Sequence, residues 1–308
     1  MKNILITGGT GSFGKAAIKC LLRDYSPERI VVFSRDELKQ HKMRTGEFDD
    51  KRLRFFIGNV RDRDRLYRAF NGIDTVIHAA ALKQVPTAEY NPFEAVKTNI
   101  LGTENVIDAA IDCGISKVMV LSTDKAVNPI NLYGATKLCA EKLTVAANSY
   151  SKRAPKLSVV RYGNVSNSRG SVIPLFKKKK EAGVIPITDM RMTRFWIELE
   201  QAASFILSCI TRMTGGEVFI PKTPSIKIVD LAKAIAPNCK LEIIGIRPGE
   251  KLHEVLLPVD ESRNAYEFKD YFVVNGRGAG KPCSDRFTYT SDTNSRWLTV
   301  EDLKRAVG

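Results

Sequence analysis

The segment Lys2–Thr7 is strand-like, the residues Ala16, Ala17, Ile18, Leu21 and Leu22 recur at helical spacing, and between them lies the turn Gly8-Gly9-Thr10-Gly11-Ser12-Phe13-Gly14. No other feature restricts the fold so strongly. The spacing Gly9-x-Gly11-x-x-Gly14 is the fingerprint with which a first βα turn receives a dinucleotide. Its glycines let backbone amides approach a pyrophosphate, whose charge the helix N-terminus then stabilises. Gly8, Thr10, Gly11, Ser12, Phe13 and Gly14 are therefore candidate cofactor-binding residues. A glycine-rich turn without a ligand is the plain alternative.

The rest of the N-terminal half repeats the strand–helix alternation, so the expected fold is α/β, a Rossmann-type doubly wound parallel sheet. A second strand, Arg29–Phe33, ends at Ser34-Arg35-Asp36. Arg35 suits a 2′-phosphate, which favours NADP over NAD, while Asp36 either caps the next helix or meets the ribose. A third strand, Leu53–Ile57, leads to Asn59 and Val60, candidates for adenine contact, and a fourth, Thr75–His78, leads to Ala79, Ala80 and Ala81. Lys83 follows, as a phosphate ligand or an ordinary surface lysine; His78 alternates with apolar neighbours and reads as a satisfied core residue. The helix expected over Pro92–Cys113 carries Asn99, unfavourable by propensity and explained by a buried hydrogen bond tying helix to sheet.

The apolar run Val118–Leu121 is a buried strand, and Ser122, Thr123, Asp124 and Lys125 emerge at its carboxyl end, where open α/β sheets bind ligands. Tyr133 and Lys137 are four apart and share a helical face. A lysine beside a phenol lowers its pKa from about 10 toward neutrality, making Tyr133 a usable base. The strand Leu157–Val160 follows. Beyond Val165 the alternation weakens: residues 1–165 read as the dinucleotide domain, 196–222 as a return to it, with a helix over Trp196–Arg212 and a strand over Val218–Ile220, and 166–195 plus 223–308 as a smaller α+β lobe for substrate.

Composition narrows the partners. The 308 residues are 44% hydrophobic and carry a net charge of +14, which attracts anions in general. The run Lys177–Lys180 lacks interleaved aromatics and reads as a solvated helix face, with nucleic-acid binding the weaker alternative. Six cysteines and three histidines show no metal-ligand spacing, so free thiols and no metal are expected. No apolar run approaches a membrane span and Met1 leads straight into a strand, so the expected setting is the cytoplasm.

Taken together, Thr7–Gly14, including the alternative spacing Gly8-x-x-Gly11-x-x-Gly14, Asn99-x-x-Gly102, Ser122-Thr123-Asp124-Lys125 and Tyr133-Gly-Ala-Thr-Lys137 resemble the extended short-chain dehydrogenase/reductase family. Ser34–Gln40, Ala79–Lys83, Asn128–Tyr133, Met192–Trp196 and Gly245–His253 narrow the resemblance to inverting UDP-N-acetylglucosamine 4,6-dehydratases of pseudaminic acid synthesis. It weakens from about Tyr271, and Asn59 stands where that family usually has Asp. The resemblance implies an internal redox cycle on UDP-N-acetylglucosamine, with oxidation at C4, loss of water across C5 and C6, and return of the hydride to C6. It assigns Tyr133 to the C4 hydroxyl proton and Lys137 to Tyr133 and the nicotinamide ribose. It assigns Asp124 and Lys125, with Thr123 beside them, to the elimination. Lys125 as a neutral amine is the base at C5 and protonated Asp124 the acid, roles that are open to exchange; Asp-Lys in place of Asp-Glu implies inversion at C5. Ser34, Arg35, Lys39, Asn99 and Ser122 join the implied NADP ligands. Lys83, Asn164, Ser171, Pro174, Phe176, Arg194, Arg247 and Glu250 are the implied substrate contacts. A homo-oligomer, dimer or hexamer, is implied as well. A dehydratase/5-epimerase or 4-epimerase would use the same cofactor site, and a regulator binding NADP without catalysis would not need Asp124, Lys125, Tyr133 and Lys137 together.

Overall fold

Six parallel strands lie in the order β3 (Leu53–Ile57), β2 (Arg29–Ser34), β1 (Asn3–Thr7), β4 (Thr75–His78), β5 (Lys117–Leu121) and β6 (Lys156–Val160). The computed structural model describes residues 1–151, 155–166, 172–276 and 280–307. Alternation along each strand feeds two cores: Leu5, Val31, Val76 and Val118 face one side, while Ile4, Ile6, Val32 and Met119 face the other. On the second side the helix α1 (Ser12–Asp24) buries Ala16, Ala17, Ile18, Cys20 and Leu21 beside Ala203, Ile206 and Leu207 of the helix Leu199–Arg212. Truncating a side chain as enclosed as Leu21 costs about 2–5 kcal/mol. Strand order reverses between β1 and β4, so the glycine turn after β1 opens at the sheet's switch point.

The strand Val218–Pro221 returns to the sheet parallel to β6. Three shorter strands then extend the sheet antiparallel: Tyr271–Val274, Ala265–Glu267 and Lys281–Pro282. This moves a boundary of the sequence reading, which gave residues 223–308 to the small lobe; Phe272 and Val274 instead bury against the main sheet. The expected helix over Trp196–Arg212 also shortens. Thr193–Ile197 is a fully buried strand of β-branched and aromatic residues, paired with Asn164–Val165 and Ser225–Lys227, and the helix starts at Leu199.

The small lobe has its own core of Ile173, Phe176, Ile185, Ile187, Trp196, Ile226, Leu231 and Leu303. Lys177–Lys180 are exposed on the helix Val172–Lys180. All six cysteines are free, with Cys20 and Cys209 inside the core. Among the described residues no helix is long and apolar enough to cross a membrane. The helix expected over Pro92–Cys113 is interrupted by a π-helical turn at Lys97–Leu101, and Asn99 sits within it. Its carboxamide accepts from Leu82 N at 2.8 Å and donates to Leu82 O at 2.9 Å and Thr136 Oγ1 at 3.0 Å. Asn99 thus ties the segment after β4 to the helix Leu132–Ala146.

Candidate active site

The first half of the cleft is the turn after β1. Gly8 has φ +67°, and a Cβ there would stand 3.0 Å from the Ala80 backbone. A Cβ on Gly14 would overlap the Gly9 backbone, so turn, strand and helix pack together through missing side chains. Gly11 caps α1 with no side chain accepting from the first-turn amides, leaving the amides around Ser12, Phe13 and Gly14 for an anion. Thr10 is buried in the turn. Ala79 N and Ala80 N donate to Thr7 Oγ1 at 3.1 and 3.2 Å, which holds Ala79–Ala81 alongside. A dinucleotide fits this cradle.

At the end of β2, Ser34 Oγ accepts from Gln40 Nε2 at 3.0 Å. Asp36 caps the helix Glu37–Arg44, accepting from Lys39 N at 2.9 Å and pairing with the Lys39 ammonium. Of the two roles open to Asp36, capping is the one seen. Arg35 is exposed and makes no ion pair among the described residues. Asn59 Oδ1 accepts from Arg61 N at 3.1 Å, and Val60 is buried. His78 is buried between Thr7 Oγ1 at 2.8 Å and Thr103 Oγ1 at 3.1 Å, as a core histidine. Burial and the Lys137 charge push its pKa down to about 3.

The second half forms where β5 ends. Ser122 N donates to Val160 O at 2.7 Å and Asp124 N to Tyr162 O at 3.1 Å, continuing the β5–β6 pairing for three residues past the strand. A single 3₁₀ turn, Asp124–Ala126, follows. The helix Leu132–Ala146 can lie against it because a Cβ on Gly134 would overlap the Lys125 carbonyl. Asn131 caps that helix, accepting from Gly134 N at 2.8 Å, and donates to Gly249 O at 2.8 Å. One residue therefore fixes both the Tyr133 helix and the loop after Gly245.

Around Lys125 the chain assembles five charges. Lys125 Nζ lies 3.1 Å from Asp124 Oδ1 and 3.5 Å from Glu254 Oε1, and Glu254 also faces Arg194 Nε at 3.8 Å and Lys251 Nζ at 3.9 Å. Arg194 is buried and donates to the carbonyls of Thr193, Leu252 and Lys251 at 2.6, 3.1 and 3.0 Å. It forms the wall behind Lys125. Burial alone would lower the Lys125 pKa, but Asp124 and Glu254 outweigh it and hold the ammonium above the usual lysine range. This corrects the expected neutral amine: between two carboxylates, Lys125 rests charged.

Tyr133 also differs from expectation. Burial raises its pKa, partly offset by the Lys125 charge and a hydrogen bond to Thr123. Beside the Lys137 that helical spacing pairs with the phenol, Lys125 also acts on it, lowering its pKa, while Asp124 raises it. Lys137 is buried and falls to about 8, with Glu141 opposing the shift. Tyr162, beside Tyr133, is raised by burial.

Four buried polar atoms around this half have no hydrogen-bond partner among the described residues: Ser122 Oγ, Asp124 Oδ2, Asn164 Oδ1 and Glu254 Oε2. A cleft that leaves such atoms unpaired is built to meet something else. Among the other expected substrate contacts, Lys83, Pro174 and Arg247 are exposed, and Arg247 N donates to Glu250 Oε2 at 3.4 Å. Phe176 is turned into the small-lobe core rather than toward a ligand, because its helix packs on that face. Ser171 lies outside the described residues. Glu254 and Lys251 were not singled out from the sequence; the signal was a carboxylate set among Leu252, Val255, Leu256 and Leu257, a charge where an apolar run predicts burial.

The chain is 53% identical to the "UDP-N-acetylglucosamine 4,6-dehydratase (inverting)" of Campylobacter jejuni subsp. jejuni serotype O:23/36 (strain 81-176), over 98% of this chain and 96% of that protein. It is 45% identical to the "UDP-glucose 4-epimerase" of Rickettsia rickettsii (strain Sheila Smith), over 98% and 94%. Among solved structures, Pen from Bacillus thuringiensis superimposes with a TM-score of 0.92 at 41% identity, covering 99% of this chain and 96% of that one. Fold, cradle and sequence agree: the chain belongs to the polysaccharide biosynthesis protein family, whose model matches residues 4–276, and is built as a Rossmann-type short-chain dehydrogenase/reductase.

Proposed function

We propose that this chain is a configuration-inverting UDP-N-acetylglucosamine 4,6-dehydratase carrying NADP, and that its product is UDP-2-acetamido-2,6-dideoxy-β-L-arabino-hexos-4-ulose. The observation that carries the reading is the buried Asp124–Lys125–Glu254 cluster beside Tyr133. A 4-epimerase needs a proton moved at the C4 oxygen and has no use for a second buried acid–base group. A dehydratase does.

The glycine turn and the α1 N-terminus would hold the pyrophosphate, with Arg35 free to take a 2′-phosphate and so favour NADP. The bound nicotinamide supplies reversible hydride chemistry. Tyr133, as the phenolate that the Lys125 charge and the Thr123 hydrogen bond favour against burial, takes the proton of the C4 hydroxyl. Oxidation there acidifies the C5 proton. Asp124 Oδ2, which has no hydrogen-bond partner among the described residues, removes that proton. Lys125, held as an ammonium, gives a proton to the departing C6 oxygen, so one water leaves. Asp124 and Lys125 thus exchange the roles that sequence reasoning gave them. Lys83, Asn164, Pro174, Arg247 and Glu250 are offered as contacts to the nucleotide sugar.

The same reading carries a cytoplasmic homo-oligomer; Tyr90 and Phe93, 87% and 77% exposed, are apolar surface that such an assembly would cover. The test is incubation with UDP-N-acetylglucosamine and NADP, followed by NMR and mass spectrometry. Loss of one water, a 6-methyl group and the L-arabino configuration are expected, with no net cofactor reduction. Conversion to UDP-N-acetylgalactosamine without loss of water would assign a 4-epimerase instead.

A further inference from the structure

Glu254 lies far along the chain from the Asp124–Lys125 turn and belongs to none of the motifs that mark the cofactor or the sugar. It is 2% exposed, immediately before the strand Val255–Leu257. Its backbone is fixed on both sides by one residue: Glu254 N donates to Ser291 Oγ at 2.9 Å, and Ser291 N to Glu254 O at 2.8 Å. Ser291 Oγ shares a hydrogen bond of 2.7 Å with Thr193 Oγ1, which in turn meets His253 Nδ1 at 2.8 Å. The residue is therefore held by the fold through its backbone, yet its Oε2 has no hydrogen-bond partner among the described residues.

The charged groups facing Glu254 are Lys125, Asp124, Arg194 and Lys251; Lys125 in turn acts on Lys83 and Tyr133. Asp124 alone supplies Lys125 with one carboxylate contact at 3.1 Å, and Asp124 Oδ1 already accepts from Thr123 Oγ1 at 2.9 Å. Glu254 adds the second, from the residue that precedes the strand Val255–Leu257. Two anions flank one ammonium, and the resting charge of Lys125 depends on both.

We propose that Glu254 is a positioning residue that keeps Lys125 protonated and aimed as the proton donor of the elimination. This rests on the dehydratase reading for its consequence, though not for its charge. An ammonium deprived of one neighbouring carboxylate becomes easier to deprotonate. Removal of the Glu254 charge therefore shifts the titration of Lys125 to lower pH. Donation breaks one N–H bond of Lys125 and forms one O–H bond on the leaving water, so the rate of water loss falls on the alkaline side of that titration.

Two measurements on the cofactor-loaded full chain test this. The first needs no substrate: trace acylation of the Lys125 amine across pH, read by peptide mass spectrometry, in wild type, Glu254→Gln and Glu254→Asp. The half-point should fall by about one pH unit or more in Glu254→Gln, and by less in Glu254→Asp, which keeps the charge at a longer distance. The second follows 6-methyl formation from UDP-N-acetylglucosamine. At the alkaline end of the wild-type plateau, Glu254→Gln should be roughly tenfold slower, because its falling limb has moved to lower pH. A merely structural role would lower the rate at every pH and leave both half-points where they are, and that result overturns the proposal. If Glu254→Gln does not fold, an unmoved acylation half-point in Glu254→Asp overturns it equally. Failure of the wild type to release water sinks the dehydratase reading alone, since the acylation shift is measured without the sugar.

Discussion

The two sides of the cleft each carry a lysine close to a carboxylate, and the outcomes are opposite. On the Tyr133 helix, Lys137 has Glu141 one turn away, but Arg161 already binds that carboxylate through Nε and Nη2, at 3.1 and 2.6 Å. Arg161 is itself buried and also pairs with Glu261 at 2.6 Å. Little of the Glu141 charge is left for Lys137, and burial takes it down to about 8. On the β5 turn, Lys125 meets Asp124 and Glu254 and stays charged. Residue type and proximity alone do not set a lysine's charge: Lys137 has one carboxylate, bound through two hydrogen bonds by Arg161, whereas Lys125 has two, of which Asp124 pairs with no other cation among the described residues.

The comparison can be broken from either side. Tyr133→Phe removes the group proposed to move the C4 hydroxyl proton and should lower turnover by about 10²–10⁴-fold while cofactor affinity is unchanged, as NMR of the product and cofactor titration will show. A loss below tenfold would mean that another group handles this proton. Arg161→Met leaves the buried Glu141 and the half-buried Glu261 without their partner. It should cost about 3–5 kcal/mol in urea unfolding and raise the Lys137 titration above 8, because Glu141 is then free to act on it. An unchanged Lys137 titration would show that Arg161 does not shield Glu141.

Smaller effects sharpen the contrast. His78, at about 3 when folded against 6.5 unfolded, binds fewer protons in the native state between those values. Unfolding free energy should therefore fall on acidification from about pH 6.5 toward 3, by up to ~1.4 kcal/mol per unit, and His78→Gln should flatten that slope. Arg35→Ala should reduce the preference for NADP over NAD by roughly tenfold, measured by cofactor titration. Equal affinities in the unaltered protein would remove Arg35 from the site.

The cofactor side was legible because its geometry is local. Gly8 to Gly14 lie between one strand and one helix, and Tyr133 and Lys137 are a single helical turn apart. Asn99 announced its buried hydrogen bonds by standing in a helix where its propensity is poor, although the π-helical turn around it left no such mark. The Asp124–Lys125 side is assembled from residues far apart in the sequence. Glu254 reaches Lys125 only after the strand Thr193–Ile197 and the Ser291 backbone have placed it, and no spacing encodes that meeting. The neutral Lys125 was misread for the same reason: one of its two carboxylates comes from the other end of the chain.

The central claim is that Tyr133 and its surroundings handle the C4 proton while Asp124 and Lys125 divide the elimination. The most direct test is Lys125→Ala, loaded with cofactor and given UDP-N-acetylglucosamine in deuterated water. The account predicts oxidation at C4, slower than in wild type because Tyr133 loses the Lys125 charge and seen by nicotinamide absorbance, and deuterium at C5, seen by NMR, without a 6-methyl group. A 6-methyl group formed at the wild-type rate, or no deuterium at C5 despite oxidation at C4, would contradict it.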